Sequence, residues 1–407
     1  MKEKIGGEFM KKNAFLESAD KVEDFIVKIR RKLHKYPELD FSLPKTTEII
    51  CDTLDKLEIN YKKNIGKSGI VAEIEGKNKN ITLAFRADMD ALPILEETEC
   101  DFKSEHIGKM HACGHDAHMS VLLGVAKVIS ENTKELPCNV RLIFQPAEET
   151  TGGAMPMIKE GVLENIDGIF GLHVDPSISA GKIGIKYGPM NAASTRIKIK
   201  IKGKSCHGAY PSTGVDSIVV AAQVITALQT IVSRNIDSRE SLVLSFGKIR
   251  GGETENVITG EVFLEGVIRT LSNKLRDSIK PKIKNMVTLI CEGMGAVGEV
   301  EYIDSYMALI NNDKFVDIVK KSGEDVLESK NVKEKKIPEM VVEDFAYYLD
   351  KVPGAFFNLG VGMRTKENKP LHNGAFFIDE KALIIGVKVQ IMNLLNAYEY
   401  LNKNNDN

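Results

Sequence analysis

Five side chains of metal-ligating type, Cys113, His115, Glu149, His173 and His372, each stand beside a Gly- or Pro-rich break or at the end of an apolar run. Glu149 is immediately preceded by a second carboxylate, Glu148. The tightest piece is His111-Ala-Cys113-Gly-His115-Asp116, where a thiol and an imidazole lie two residues apart with a glycine between them. Thiolate and imidazole together suit zinc and other borderline-soft transition ions, whereas calcium or magnesium would want an all-oxygen shell. The pattern is that of a metal site with a general base attached.

Such residues need elements to carry them. The runs 81–85, 140–144 and 168–172 are short and β-rich, and each delivers the chain to polar residues: Asp88 and Asp90, Glu148 and Glu149, then His173. In open parallel sheets the ligand crevice lies outside the carboxyl ends of the strands, so functional residues collect where strands stop. An opening helix is predicted over 19–36, where Val22, Phe25, Ile26, Ile29 and Leu33 recur at helical spacing until Pro37. Further helices are predicted over 46–57 and 117–129. Strand alternating with helix predicts an α/β domain with a mostly parallel sheet.

After Pro189 the pattern changes. Residues 195–202 alternate polar and apolar with period two, as a half-exposed strand does. A helix with Ile218, Ala222, Ile225, Leu228 and Val232 on one face follows, then strands at 241–249 and 261–270, a helix over 275–291 and a strand at 297–303. The order β-α-β-β-α-β is the split βαβ, ferredoxin-like α+β arrangement, which can fold as a unit of its own. The expected organisation is a catalytic domain in two parts, 1–190 and 306–407, interrupted by a satellite domain at 191–305. The returning part supplies a helix at 314–329, the stretch 340–349, an apolar run at 355–359, His372 and a terminal helix over 381–401. The Asn/Lys-rich end after Leu401 is expected to fray.

Composition bounds the partners. The chain's 407 residues suffice for a substantial core and two domains. With 55 basic and 57 acidic residues the formal charge is -2, no excess that would draw the protein onto nucleic acid or an anionic membrane. Apolar stretches such as 218–228 fall short of the roughly 20 residues a membrane span requires. The first 13 residues lead into Asp and Glu rather than an apolar core, so no secretory signal is expected, and the expected location is cytoplasmic. Six cysteines in a chain of this size are not a disulfide framework; Cys51, Cys100, Cys138 and Cys291 read as small buried apolar residues.

Several blocks, in fixed order, carry a resemblance. They are Arg30-Arg-Lys-Leu-His34-Lys-Tyr-Pro-Glu38, Arg86-Ala-Asp88-Met-Asp90-Ala-Leu-Pro93, the His111 to Asp116 motif, Gln145-Pro-Ala-Glu148-Glu149, Gly171-Leu-His173, Cys206-His207-Gly-Ala-Tyr-Pro211, Gly251-Gly-Glu-Thr-Glu-Asn256 and Leu371-His372-Asn373. Over nearly its whole length the chain resembles the metal-dependent amidohydrolase and peptidase family of aminoacylases, hippurate hydrolases, carboxypeptidase G and dipeptidases. Within it, the chain is most similar to the branch of bacterial N-acyl amino acid amidohydrolases and plant auxin-conjugate hydrolases.

The resemblance implies two divalent metal ions at Cys113, His115, Glu149, His173 and His372, with Glu148 as the base and Asp90 behind the ligands, orienting a ligand imidazole. Zinc is the default ion, with manganese, nickel or cobalt as alternatives. It also implies a homodimer through the satellite domain, in which His207 reaches the active site of the partner subunit to stabilise an oxyanion. Asn256 and Arg269 are the candidates for holding a substrate carboxylate, since a guanidinium fork suits a planar anion; Arg269 could equally make a salt bridge within the satellite. The implied activity is hydrolysis of the amide of N-acyl amino acids to a carboxylic acid and a free amino acid. The alternatives are a metallo-carboxypeptidase or dipeptidase acting on short peptides, and, in another class, a catalytically inactive metal-binding scaffold, against which the presence of Glu148 argues. The peptidase branches carry His-x-Asp where this chain has Asp88-Met-Asp90, and a bridging aspartate where it has Cys113; Thr259 stands where a proline usually follows Asn-Val-Ile. Of the other histidines, His106 reads as a surface loop residue, His34 as a hydrogen-bonder at a helix end, and His111 and His118 as supports flanking the motif. Lys198, Lys200, Lys202 and Lys204 read as a solvated strand face.

Overall fold

The computed structural model describes residues 12–364 and 367–405, which divide into two compact units. One holds the described residues up to Gly188, Ile310–Lys336 and those from Tyr347 onward; the other holds Pro189–Leu309 and Ile337–Ala346. In chain order the strands are β1 (Tyr61–Ile65), β2 (Gly69–Ile74), β3 (Asn78–Asp88), β4 (Cys138–Gln145), β5 (Gly168–Ser179), β6 (Ile183–Ile185), β7 (Gly188–Asn191), β8 (Ala193–Lys202), β9 (Cys206–His207), β10 (Leu242–Gly251), β11 (Val257–Ile258), β12 (Glu261–Thr270), β13 (Val297–Asp304), β14 (Leu309–Asn311), β15 (Val332–Glu334) and β16 (Gly354–Gly362). The longer helices are α1 (Glu23–Lys35), α2 (Pro44–Lys56), α3 (His115–Glu131), α4 (Ser217–Arg234), α5 (Asn273–Gly293), α6 (Asp313–Val326) and α7 (Lys381–Asn405).

The first unit is built on an eight-stranded sheet in the order β1-β2-β4-β3-β5-β16-β6-β15. Its middle, β4-β3-β5-β16, is parallel, while β1–β2, β2–β4 and β16–β6 pair antiparallel. The middle strands are apolar on both faces because helices cover both. Leu83 and Phe85 of β3, Leu142 and Phe144 of β4, and Phe357 of β16 share one core with Ile26 and Leu33 of α1, Val121 and Val125 of α3, and Val387 and Ile391 of α7. The sequence pattern misses β1, whose Tyr-Lys-Lys-Asn-Ile is nearly devoid of apolar alternation and becomes a strand by pairing with β2. It carries a register shift between Lys63 and Ile65, with Asn64 left-handed at φ 64°. The opposite edge, β15, is three residues long. Helix α7 runs to Asn405, past the expected fraying point, with Tyr398, Tyr400 and Leu401 packed on the core.

The second unit contains a four-stranded antiparallel sheet in the order β10-β12-β8-β13, beside a short β9–β11 ladder. The period-two alternation of β8 explains its two faces. Ile197, Ile199 and Ile201 are buried with Val220, Val224 and Leu228 of α4 and Ile279, Ile283 and Val287 of α5. On the other face Lys198, Lys200 and Lys202 pair with Glu301, Glu261 and Glu299 at 3.6, 2.8 and 2.5 Å, so the lysines form no basic patch. Among the described residues α4 alone is long and apolar enough to cross a membrane; its Val220, Val224, Leu228 and Ile231 lie in this unit's core. The boundaries differ from the expected 191–305. Residues 337–346, placed by the sequence pattern in the returning catalytic part, belong to the second unit because Glu339 N donates to Met190 O and Ala192 N to Val341 O, at 2.8 and 2.9 Å.

Candidate metal centre

All five candidate ligands, with Glu148, Asp88 and Asp90, lie in the first unit. Strand β3 ends at Asp88, and β4 ends at Gln145. Just beyond β4 the chain turns at Ala147, φ 58°, a left-handed conformation that costs a side-chain-bearing residue about 1–3 kcal/mol. The turn brings the next two amides onto Asp90: Glu148 N donates to Oδ1 at 2.8 Å and Glu149 N to Oδ2 at 3.0 Å. Adjacent carboxylates are thereby fixed by one residue behind them. Gly114, φ 82°, turns the chain between Cys113 and His115, and His115 opens α3. A Cβ at Gly114 would stand 2.4 Å from Cγ2 of Val174, so the motif requires glycine on two counts. His372 is also left-handed, φ 61°, and its amide donates to Ala112 O at 2.9 Å, which seats it against the Cys113 turn.

Two triplets of donor atoms result, and they share Cys113. Cys113, His115 and His173 form one; Cys113, Glu149 and His372 form the other, with the atoms of each triplet within 4.8 Å of one another. His173 Nδ1 donates to Val174 O at 2.8 Å, so its Nε2 carries the lone pair, and this nitrogen lies 3.3 Å from Cys113 Sγ. His372 Nε2 is 3.3 Å and His115 Nε2 3.8 Å from Glu149 Oε1. His115, Glu148 and Glu149 form a third overlapping group, which puts the proposed base beside both sets of ligands.

The residues fit a divalent cation. Both ring nitrogens of His115 and Oε1 of Glu149 are buried without an aligned hydrogen-bond partner, an expensive state unless something else engages them. The field asks for positive charge. Burial opposes a charged His115, yet Asp88, Asp90 and Glu149 outweigh it and push its pKa up to about 10. Burial and the neighbouring Glu149 and Glu148 push the Cys113 thiol well above its ordinary value, so a thiolate there needs a cation. Burial also works against Glu149, but His372 and His115 prevail and bring it down to about 2.

Two supports stand behind the ligands: His118, expected from the sequence as a support flanking the motif, and Asp88, expected at the end of a strand, each now with its partners. His118, on the same face of α3 as His115 and three residues on, gives its Nδ1 hydrogen to Asp88 Oδ1 at 2.6 Å and accepts Val174 N at Nε2 at 2.9 Å. The Nε2 contact fixes its tautomer, and burial holds its pKa down to about 4, so the ring is neutral. Asp88 in turn takes Arg86 at 2.8 Å and lies 3.7 Å from His115 Nε2. The polar spacing Asp88-Met-Asp90 at a strand end was the available signal. Asp90 faces His115 Nδ1 at 3.8 Å, and its close bonds are the two backbone amides. His111 is fully buried, both nitrogens lack partners, and burial pushes its pKa down to about 3. His106 donates to Pro37 O, and Cys100 is half-buried, not buried as expected.

His207, Asn256 and Arg269 lie in the second unit. The β9–β11 ladder pairs His207 with Val257, and Gly208 N donates to Asn256 O at 2.7 Å, so these two blocks meet. His207 is exposed and accepts Ala209 N on Nδ1 at 3.0 Å, which leaves Nε2 as the nitrogen that carries the ring hydrogen. Arg269 sits on β12 opposite Ser194 and Val243 with one buried terminal nitrogen unpartnered.

Comparison with known proteins follows the same lines. The chain is 40% identical over 363 residues to the N-acetyl-L-cysteine deacetylase of Bacillus subtilis, covering 89% of this chain and 86% of that protein. It is 36% identical over 391 residues to thermostable carboxypeptidase 1 of Saccharolobus solfataricus, covering 94% and 97%. The crystal structure of a Bacillus subtilis dinuclear metal binding peptidase superposes with a TM-score of 0.83 at 31% identity, covering 93% of this chain and 99% of that one. Residues 84–394 match the profile of Peptidase family M20/M25/M40, and the chain belongs to that family.

Proposed function

We propose that this metal-dependent hydrolase of amide bonds acts on N-acyl amino acids, releasing a carboxylic acid and a free amino acid. The observation that carries the reading is the pair of donor triplets meeting at Cys113 with Glu148 alongside. One ion would be held by Cys113, His115 and His173, and a second by Cys113, Glu149 and His372. Divalent ions at such positions supply Lewis acidity, polarising a carbonyl and bringing the pKa of water toward about 7. Zinc suits the thiol and imidazole donors best, with manganese, nickel or cobalt as alternatives.

The protein's own groups do the rest. Glu148, its backbone pinned by Asp90, takes the proton of the attacking water and returns it to the leaving amine. His173 needs no rearrangement, since its Nδ1 bond already presents Nε2. We assign the substrate carboxylate to Asn256 and Arg269, and the developing oxyanion to the Nε2 hydrogen of His207, acting on the partner subunit of a homodimer. The outward face of α4 supports a homodimer through the second unit: Ile218 and Val219 are each 48% exposed, and no charged residue occurs between Ser217 and Ser233. The six cysteines are free thiols, which suits the cytoplasm.

The similarity to a carboxypeptidase keeps a second reading in play, peptide cleavage by the same machinery. The deciding experiment strips the protein of metal, reloads it with zinc, manganese, cobalt or nickel, and compares N-acetyl and N-benzoyl amino acids with dipeptides. Faster turnover of the acyl amino acids is the expected result. A clear dipeptide preference would overturn the substrate assignment, and no turnover with any ion would favour a binding scaffold.

A further inference from the structure

The Arg30-Arg31-Lys-Leu-His34 face of α1 contributes no donor to the metal centre, yet it grips three segments that lead into it. Arg30, His34 and Asp116 are 1%, 1% and 0% exposed, and Glu96 is 4% exposed. Arg30 Nε and His34 Nδ1 both donate to Asp116 Oδ2 at 2.8 Å, and Asp116 directly follows His115. On its other side His34 Nε2 reaches Glu96 Oε1 at 3.1 Å. Glu96 belongs to the loop closed by the Leu92–Met110 bridge, and it accepts Ser104 N at 2.7 Å within that loop. The adjoining Glu97 amide donates to Gly374 O at 2.7 Å, two residues after His372. A third grip lies beyond His372: Arg30 and Arg31 both hold Glu380, and the Arg30 guanidinium stands 5.0 Å over Phe102 and 5.8 Å over Phe377.

The chemistry of His34 is constrained. Each ring nitrogen faces a carboxylate oxygen, and a carboxylate only accepts, so the ring serves both sides only with a hydrogen on each nitrogen. A buried set of charges is costly to assemble and is poor value as glue, because apolar packing would hold a helix to a loop at least as well. What directional bonds add is fixed relative placement. Here that placement joins the turn carrying Cys113 and His115 to the loop carrying His372, which arrives from far along the chain.

We infer that His34, backed by Arg30 and answered by Glu96, is a positioning residue that sets the span between the Cys113–His115 turn and His372. The inference rests on the ligand assignment proposed above. It singles out the ion between Cys113, Glu149 and His372, because that triplet spans the two segments His34 ties together.

The test titrates metal-free protein with cobalt, followed by calorimetry and by the visible thiolate-to-cobalt absorption. Wild type should show two binding events. His34→Gln can donate toward one carboxylate only, and the event assigned to His372 should weaken by roughly 10- to 100-fold while the other changes little. Glu96→Gln, which keeps an acceptor oxygen, should weaken the same event by less, and it carries the test if His34→Gln does not fold. Two events at wild-type affinity in a folded variant would overturn the clamp alone, as would a lower unfolding temperature with both affinities intact. A wild-type protein that takes up no cobalt would overturn the clamp together with the ligand assignment.

Discussion

Adding one methyl group at Gly114 should damage this protein in two separable ways. The residue sits at φ 82° between two proposed ligands, and the left-handed conformation costs a side-chain-bearing residue roughly 1–2 kcal/mol. The new Cβ would also stand 2.4 Å from Val174 Cγ2, a contact no real pair of carbons sustains. Val174 cannot easily swing aside, being β-branched and held by its amide to His118 and its carbonyl to His173. Overpacking of this kind costs roughly 1–3 kcal/mol, so Gly114→Ala should lose about 2–5 kcal/mol. Gly108→Ala is the control: φ is 78°, but nothing lies within 4 Å of the added carbon, so only the backbone share of about 1–2 kcal/mol applies. Urea unfolding of the metal-free proteins measures both, and metal content after dialysis reports the effect on the ligands. Adding Val174→Ala to Gly114→Ala should return the steric share and leave the backbone share. Equal losses for Gly114→Ala and Gly108→Ala, with metal content unchanged in both, would refute the reasoning.

Three further outcomes are expected. Glu148→Gln should lower kcat by about 10²- to 10⁴-fold with metal content unchanged, and full activity would remove Glu148 as the base. His372→Ala should retain one ion per subunit and lose the other by elemental analysis; two retained ions would exclude His372 as a ligand. For Asp175, burial raises the pKa but is outweighed by Ser177 and Lys335, which hold the carboxyl below its ordinary range. Its stabilisation is therefore present above the unfolded-state pKa of about 3.9 and is lost as pH falls through the lower folded value. Asp175→Asn should cost roughly 1.5–3 kcal/mol near pH 7, with the gap to wild type closing below about pH 4, and a gap independent of pH would contradict this.

The elements that carry strong periodicity were readable from the chain. The alternation in 195–202 becomes β8, and the runs before Asp88 and Glu148 become β3 and β4, with Asp88 closing β3 and Glu148 beyond β4; the run 168–172 becomes β5 but does not stop at His173, because pairing with β16 carries the strand on to Ser179. What escaped depends on partners distant in sequence. Strand β1 has no pattern of its own, and 337–346 is tied to the second unit by backbone bonds to Met190 and Ala192, residues far away in the sequence. The same holds inside the site. Nothing local to His118 announces Asp88 and the Val174 amide as its neighbours, and His34 looks like an ordinary helix-end histidine until Asp116 and Glu96 are brought to either side of it. Donor residues advertise themselves by type; those that hold them do so only once folded.

The two margins of the first unit's sheet have a consequence for how the protein behaves when crowded. A neighbouring chain can extend a sheet only where it finds a straight run of unspent amides, and neither margin offers one. On one side Lys62, Lys63 and the left-handed Asn64 kink and charge the border; on the other the run ends after Val332, Lys333 and Glu334. Among the described residues, neither margin of this sheet therefore offers a template on which another chain could add a strand, and that protection comes from segments too irregular to stand out in the sequence.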